Sequence, residues 1–400
     1  MSKGLVPFEF VLPTRVVFGA GEISKTGREA AAFGKKAMVV SYDEHIVASL
    51  GFYDKLKKSC DDAGIELIEF FGVKSNPTAE HAALGIRLAK EKKPDVIIGL
   101  GGGSAMDSAK YIAVGALYDG DPWDFWSGKK TVEKALPVIT ITTIPATSSE
   151  MNGTAVMNNE TLRRKDGLVS VIMRPKTAIL DPELTYSIPI KQTAYSAADM
   201  VSHLLEHYLG HDLDFTPYQD YFCQGGIRSV MECMDRLLEN PRDPDARAVM
   251  MWQAAFHWSG FYDSGYDLPN SIIHILGHSL SNFYDTPHGA AMSVTILGSM
   301  RYYLRERTGK YAGFARGVFG ITEGDDMIAA AAGIAALEAW FKKIGVPTTL
   351  AEAGITDPGA VEKMAPDALK TSDAWGETAS YGYTVEVMRR IFEYCTGGIR

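Results

Sequence analysis

Between residues 36 and 185 the chain alternates short apolar runs, rich in β-branched residues, with segments whose apolar residues recur at helical period. This rhythm restricts the fold more than any other feature. "KAMVVSY" (36–42), "IELIEFFGV" (65–73), "DVIIGLGGG" (95–103) and "ALPVITITTIPAT" (135–147) read as strands, and "ASLGFYDKLKKSCDDAG" and "TAEHAALGIRLAKEKK" as helices between them. Strand, helix, strand, helix predicts a parallel sheet wrapped on both faces. After "AILDPELTYSIP" (178–189) the segments become long, rich in Ala, Met and Leu, and poor in β-branched runs. "LENPRDPDARAVMMWQAAF" carries a proline-punctuated turn between helices, and "DDMIAAAAGIAALEAWFKKIGVP" is an amphipathic helix closed by Gly and Pro. The expected organisation is an α/β domain over residues 1–185 and an all-α domain over residues 186–400.

In "DVIIGLGGGSAMDSAK" three glycines and a serine lie between an apolar strand and a helix. Glycine permits positive φ and lets a phosphate approach the backbone amides, Ser104 is placed to cap the helix, and the helix N-terminus favours an anion. Gly99, Gly101 and Ser104 only approximate G-x-G-x-x-G, so a plain tight turn is the competing reading. If this half binds a dinucleotide, the adenosine ribose would lie at "VVSYDEH", where Tyr42, Asp43 and Glu44 are candidates and a solvated loop is the alternative.

The net charge of -9 argues against nucleic acid, whose phosphates need clustered Lys and Arg. The expected partners are small molecules or further copies of the chain, with no nucleic acid and no membrane. "MSKGLVPFEFVLPTRVVFG" has no basic segment leading into a long apolar run, and no membrane-length apolar stretch occurs, so a cytoplasmic location is expected. Cys60, Cys223, Cys233 and Cys395 are scattered without a C-x-x-C pair and read as reduced structural thiols.

Seven of the nine histidines fall between 203 and 288. In "DMVSHLLEHYLGH" (199–211), His203, Glu206 and His207 spell H-x-x-E-H, the inverted zinc-protease signature, whereas Asp199 and His203 spell D-x-x-x-H, a carboxylate and an imidazole one turn apart. "IIHILGHSLSNFYDTPHGAAM" adds His274 and His278, again one turn apart, and His288 in a Pro-Gly turn. A site of one Asp and three imidazoles with an open position and no thiolate suits Fe2+ or Zn2+. The ion would lower the pKa of an alcohol oxygen, and the other half of the chain would supply a hydride acceptor. His257, beside Trp258, reads as a packed core histidine, and His211 as a surface one.

Taken together these residues resemble the iron-containing alcohol dehydrogenase family, in its long-chain-alcohol or butanol dehydrogenase branch, over nearly the whole chain. "PTRVVFGAGE", "SNPT", "GGGSAMDSAK", "ATSSE", "ILDPELT" and "HILGHSLSNFYDTPHG" match its motifs in order. The resemblance implies an α/β N-terminal Rossmann-like dinucleotide-binding domain and an all-α C-terminal metal-binding domain. It implies Asp199, His203, His274 and His288 as metal ligands, Fe2+ foremost with Zn2+ possible, and His278 as a non-ligand catalytic histidine near nicotinamide and substrate. It assigns Gly102, Gly103 and Ser104 to the pyrophosphate, Asn76, Thr143 and Thr147 to other dinucleotide contacts, and Lys165 to the nicotinamide end. The implied activity is hydride transfer between a primary alcohol and NAD(P), a glycerol dehydrogenase-like or dehydroquinate synthase-like enzyme being the related alternative.

Three departures stand out. Thr143 is followed by Ile144 where the family pairs threonines, the glycine of T-G-S-E is Ser148, and His207 fills a place often taken by a smaller residue. Tyr42, where NAD-preferring members carry Asp, leans toward NADP, and Asp43 beside it weakens that lean. A homodimer is expected, through an N-terminal edge strand such as "TRVVFG". Glu206 is expected to be a structural hydrogen-bond partner and His207 a supporting or substrate-side residue.

Overall fold

Strand β4 (Val96–Gly101) is buried at every position, as expected of a strand covered on both faces. The computed structural model describes residues 4–49, 51–211, 213, 215–262, 264–266 and 270–397. Among these, β4 sits in a six-stranded sheet with β1 (Arg15–Phe18), β2 (Lys36–Val40), β3 (Glu66–Phe70), β5 (Val138–Thr142) and β8 (Thr177–Leu180). The order is β1-β8-β5-β4-β2-β3, and every pairing is parallel. Alternate residues feed two separate cores. Met38, Val40 and Ile97 pack with Ile112 and Trp126 on one face, and Ala37, Val39, Val96 and Ile98 pack with Leu56 and Ile139 on the other. The chain runs outward from β2 to β3, then crosses back to β4 and continues to β5 and β8. The direction of travel therefore reverses between β2 and β4, the place where an open parallel sheet binds its ligand.

The alternation in the sequence thus gives the parallel sheet it predicted, with four of its six strands, β2, β3, β4 and β5; it did not mark β8. It did not reveal the antiparallel hairpin of β6 (Thr154–Asn159) and β7 (Arg164–Val169), whose strands are half polar.

Two compact units divide the chain, though not at a single point. One comprises Val11–Ile188 and Arg242–Gly260, the other Met1–Phe10, Pro189–Pro241 and Phe261–Arg400. The insertion of Arg242–Gly260 into the sheet unit separates it from the expected division at 185/186. The Pro244–His257 helix starts where the proline-punctuated turn predicts, capped by Asp243, whose carboxylate accepts from the Ala246 amide at 2.9 Å. It covers the far side of the sheet, where Met251 and Ala255 pack on Ala178 and Leu180.

In the second unit all named elements are helices. No described helix is long and apolar enough to cross a membrane. The central helix, Ile190–Leu209, is buried on all sides over its C-terminal two-thirds, including the polar residues Asp199, Ser202, His203, Glu206 and His207. Its neighbour, the His288–Tyr302 helix, approaches it at Gly289, where a Cβ would stand 2.0 Å from the Tyr195 carbonyl oxygen. At Gly277, in the Ile272–Tyr284 helix, a Cβ would meet the end of the Met292 side chain, also at 2.0 Å.

These two glycines give a controlled comparison. Either change to Ala gains about 1 kcal/mol of helix propensity. Only Gly289→Ala forces backbone apart, at an overpacking cost of about 1–3 kcal/mol, because the flexible end of Met292 can turn away from a methyl group at position 277. Gly289→Ala is expected to lower the thermal midpoint clearly more than Gly277→Ala, and equal midpoints would contradict this packing.

Candidate active site

Three imidazoles surround one carboxylate oxygen in the helical unit. Asp199 Oδ1 lies 3.3 Å from His288 Nε2, 3.7 Å from His274 Nε2 and 3.8 Å from His203 Nε2. Asp199 and His203 share a face of the central helix by their spacing of four, His274 comes from the Ile272–Tyr284 helix, and His288 opens the next helix just after Pro287. Ligand atoms of Asp199, His274 and His288 all lie within 4.8 Å of one another. His203 stands beside this trio with its ring stacked on His274 at 5.0 Å and nearly parallel, rather than within the mutually close set.

Burial alone would push the Asp199 carboxyl up, yet the charges of His203 and His288, helped by His274, hold it well below the usual carboxylate range. Oδ1 is buried and no hydrogen bond of good geometry reaches it. An ionised, buried acceptor facing imidazole nitrogens is the arrangement a divalent cation satisfies.

Glu206 has a definite task. Its Oε1 accepts from the His274 amide at 2.9 Å, and its Oε2 pairs with His274 Nδ1 at 2.7 Å. With Nδ1 bound there, Nε2 is the nitrogen turned to Asp199, the way a carboxylate fixes a metal-ligating imidazole. Burial lowers the His274 pKa, but Glu206 and Asp199 outweigh it and raise it to about 10. The protease reading of H-x-x-E-H loses its general base here, since both oxygens of Glu206 serve His274. His207 is buried and stacks on Tyr262 at 6.0 Å.

His278 is buried one turn beyond His274, its ring 6.1 Å from that of His288 and held edge-on by Trp375 at 5.2 Å. His257 is fully buried, as expected of a core histidine. The surface assignment of His211 is incorrect: it is buried, stacks on Tyr266 at 4.2 Å and accepts from the Leu213 amide at 3.1 Å. Its position at the end of an amphipathic pattern gave no sign of Tyr266 and Lys310, which lie against it from far along the chain.

In the sheet unit, β4 ends at Gly101, whose φ of +150° is open to glycine, and Gly102 caps the Gly103–Gly115 helix. Ser104 is therefore inside the first turn and does not cap it. The Tyr42 phenol, pushed above its ordinary pKa by burial, accepts the Gly102 N–H at 2.9 Å. A Cβ on Gly102 would meet that oxygen at 2.9 Å, and one on Gly103 would meet Thr147 Oγ1 at 2.8 Å. Thr143 is fixed beside them, its amide donating to the Gly101 carbonyl at 2.9 Å. Tyr42, Gly102, Gly103, Ser104, Thr143 and Thr147 thus gather at one helix N-terminus, a ready anion site.

Asn76 and Lys165, distant in sequence, form a second pair: Lys165 Nζ donates to Asn76 Oδ1 at 3.0 Å, and the hairpin is tied there by the Asn158 amide on the Pro77 carbonyl at 2.8 Å. Asp43 stays exposed, its Oδ1 accepting from the His45 amide at 2.9 Å.

Ser148 occupies φ +53°, a conformation suited to the glycine it replaces in T-G-S-E. Its hydroxyl offsets the strain by accepting the Trp258 amide at 2.8 Å and donating to the Ala254 carbonyl. Asp107 and Lys110, part of the "GGGSAMDSAK" motif but given no role of their own in the sequence, lie in the glycine-loop helix, Lys110 fully buried. The signal was two opposite charges three apart in a run of small apolar residues.

Comparison with known proteins agrees across both units. Residues 13–182 match the family described as iron-containing alcohol dehydrogenase, and residues 193–394 match the C-terminal region of the same family. The chain is 34% identical to NADH-dependent butanol dehydrogenase B of Clostridium acetobutylicum, over 92% of this chain and 94% of that one. It is 31% identical to the NADPH-dependent aldehyde reductase of Escherichia coli, over 96% and 98%. Among solved structures, NADH-dependent butanol dehydrogenase A of Thermotoga maritima superposes with a TM-score of 0.93 at 34% identity, covering 98% of this chain and all of that one. With a family match in each half and relatives spanning nearly the full length, this chain belongs to the iron-containing alcohol dehydrogenase family.

Proposed function

We propose that the protein interconverts primary alcohols and aldehydes with a nicotinamide dinucleotide as hydride partner, and that Asp199, His203, His274 and His288 hold the divalent ion. The observation that carries this reading is the buried Asp199 oxygen, ionised and facing three imidazole nitrogens. Nitrogen and carboxylate donors without thiolate suit Fe2+, which the family favours, and also Zn2+. The ion supplies Lewis acidity toward the substrate oxygen.

The chain's own groups do the rest. Glu206 orients His274, and burial of Asp199, His203 and His278 keeps water from the ligand atoms. His278, outside the ligand set but within one ring spacing of His288, is the group we assign to move the alcohol proton. The Gly102–Ser104 helix N-terminus binds the pyrophosphate, with Thr143 and Thr147 beside it, while Asn76 and Lys165 serve the rest of the dinucleotide.

For the cofactor our reading moves from NADP to NAD. The feature behind the NADP lean was Tyr42, and its phenol is engaged with the Gly102 amide. That leaves Asp43 and Glu44 as the exposed groups following β2, and carboxylates there favour a ribose hydroxyl over a 2'-phosphate. For assembly we retain the homodimer: β1 is an edge strand, paired only with β8 among the described strands.

Fe2+-loaded protein should oxidise NADH in the presence of a short-chain aldehyde, followed by nicotinamide absorbance. Inactivity with every such aldehyde, with NADH and NADPH alike, would sink the reading. His274→Ala should abolish metal retention, and Glu206→Ala should weaken it about 10–100-fold, the usual effect of removing a ligand's supporting partner. NADH should be preferred over NADPH in kcat/KM, and Asp43→Asn should narrow that preference about two- to fivefold, as befits an exposed charge. A preference for NADPH that Asp43→Asn leaves unchanged would restore the NADP assignment. Solution mass should correspond to two chains, and a monomer would remove the edge-strand dimer.

A further inference from the structure

Lys110 is fully buried in the glycine-loop helix, and its ammonium group spends all three protons on one segment of chain. Nζ donates to the Thr154 carbonyl at 2.7 Å, Ser149 Oγ at 2.8 Å and Asn152 Oδ1 at 3.2 Å. Less than a turn earlier, Asp107 reaches the same segment, one oxygen accepting from Ser149 Oγ at 2.6 Å and the other from the Val156 amide at 2.9 Å. Glu150 lies buried close by, and Lys110 attracts its carboxylate electrostatically. Burial is costly for these groups. It pushes Lys110 down to about 8 and Glu150 up to about 7. Apolar side chains would hold a helix on a sheet without this expense, so the network must fix something that apolar packing leaves loose.

The object it fixes is the turn that carries Thr147. Asn152 Nδ2 donates to the Thr147 carbonyl at 3.2 Å, and the Ser149 amide donates to Thr147 Oγ1 at 3.3 Å. Lys110 holds both Asn152 and Ser149, so it sets Thr147 through two independent arms. Thr147 in turn lies against Gly103, at the N-terminus of the helix to which Lys110 itself belongs. The bonds close a loop: helix N-terminus, Thr147, the 149–152 segment, Lys110, and back along the helix. Such a closed circuit keeps the spacing between the start of the helix at Gly103 and the Thr147 hydroxyl constant, which is what two groups gripping one pyrophosphate require.

We propose that Lys110, seconded by Asp107, is a positioning residue for the dinucleotide, acting through Ser149 and Asn152 to hold Thr147 in place against the glycine loop. This rests on the glycine loop being the dinucleotide site. Lys110 touches neither cofactor nor substrate; its effect is confined to nucleotide affinity.

The test uses the full metal-loaded chain as wild type, Lys110→Met and Ser149→Ala. NADH binding is read by its fluorescence, and KM for NADH, KM for aldehyde, kcat and metal content are measured on the same samples. Losing hydrogen bonds to a charged group, about 1.5–3 kcal/mol, corresponds to a rise of roughly 10-fold or more in the Kd and KM for NADH in Lys110→Met. Ser149→Ala, which keeps the lysine and its other partners, should shift both the same way by less, and safeguards the test if Lys110→Met does not fold. The double variant should bind NADH no worse than Lys110→Met, because both act in one circuit. In all variants that fold, kcat at saturating NADH, aldehyde KM and metal content should stay near wild type. Unchanged NADH affinity in Ser149→Ala and Lys110→Met, beside a wild type that binds NADH, overturns the positioning role and leaves the dinucleotide reading standing. Parallel losses in aldehyde KM and metal content would reduce the network to general stability and also overturn it. A wild type that binds neither NADH nor NADPH defeats the dinucleotide reading first.

Discussion

An ionised carboxylate in the middle of a helix covered on every side is the constraint from which the helical unit follows. Taking such a group out of water costs several kcal/mol unless opposite charge and ligands replace the lost solvent. Around Asp199 that replacement comes from imidazoles on three helices, and each imidazole imposes a further requirement. His274 needs Glu206 to set its ring, which explains a second buried acid on the same helix face. His288 needs its helix to come close to the central one, which explains why the residue after it has no side chain. The organisation of the site is thus built into the protein itself, by side chains that hold one another.

The sheet unit meets the opposite problem. On the reading proposed above it would hold an anion, and it offers few permanent charges at the point of contact. Backbone amides at a helix start would provide the positive end and glycines would let the ligand approach, while Tyr42 braces the loop from the neighbouring strand. The buried charges lie deeper, at Asp107, Lys110 and Glu150, and Asp107 and Lys110 bond to the backbone of Val156 and Thr154.

Local chemistry was legible in the sequence and long-range pairing was not. The inner strands β2, β4 and β5 showed themselves because a strand buried on both faces is a run of apolar residues, whereas β8, four residues long beside the domain junction, was not read as a strand. The glycine loop showed itself because backbone conformation at Gly101 and close neighbours at Gly102 and Gly103 leave no room for a side chain. The D-x-x-x-H and H-x-x-x-H spacings placed polar groups on common helix faces, and the structure brings Asp199, His274 and His288 into one cluster with His203 at its side. The β6–β7 hairpin escaped notice, since half-polar strands leave a weak pattern. So did the partner of Glu206, which lies far along the chain on another helix. His211 was misread because its cover, Tyr266 and Lys310, comes from distant parts of the chain that its own helical period does not show. Ser148 is the instructive case: the sequence showed that a glycine was missing, but only the structure shows two hydrogen bonds compensating for it.

The segment Arg242–Gly260 has a consequence for how the protein is made. The strands of the sheet are all synthesised once residue 180 has been added, yet Ala178 and Leu180 receive their cover from Met251 and Ala255, and Ser148 its partners from Ala254 and Trp258. On the ribosome the sheet unit therefore has to wait, one flank bare and one turn unsupported, while the first two long helices of the other unit emerge. The usual order in which an N-terminal domain completes itself before the next begins does not apply here. Neither unit is a segment that can be cut out, moved or inherited by itself, and a nascent chain stalled before residue 260 presents an exposed apolar surface to whatever chaperone guards the exit.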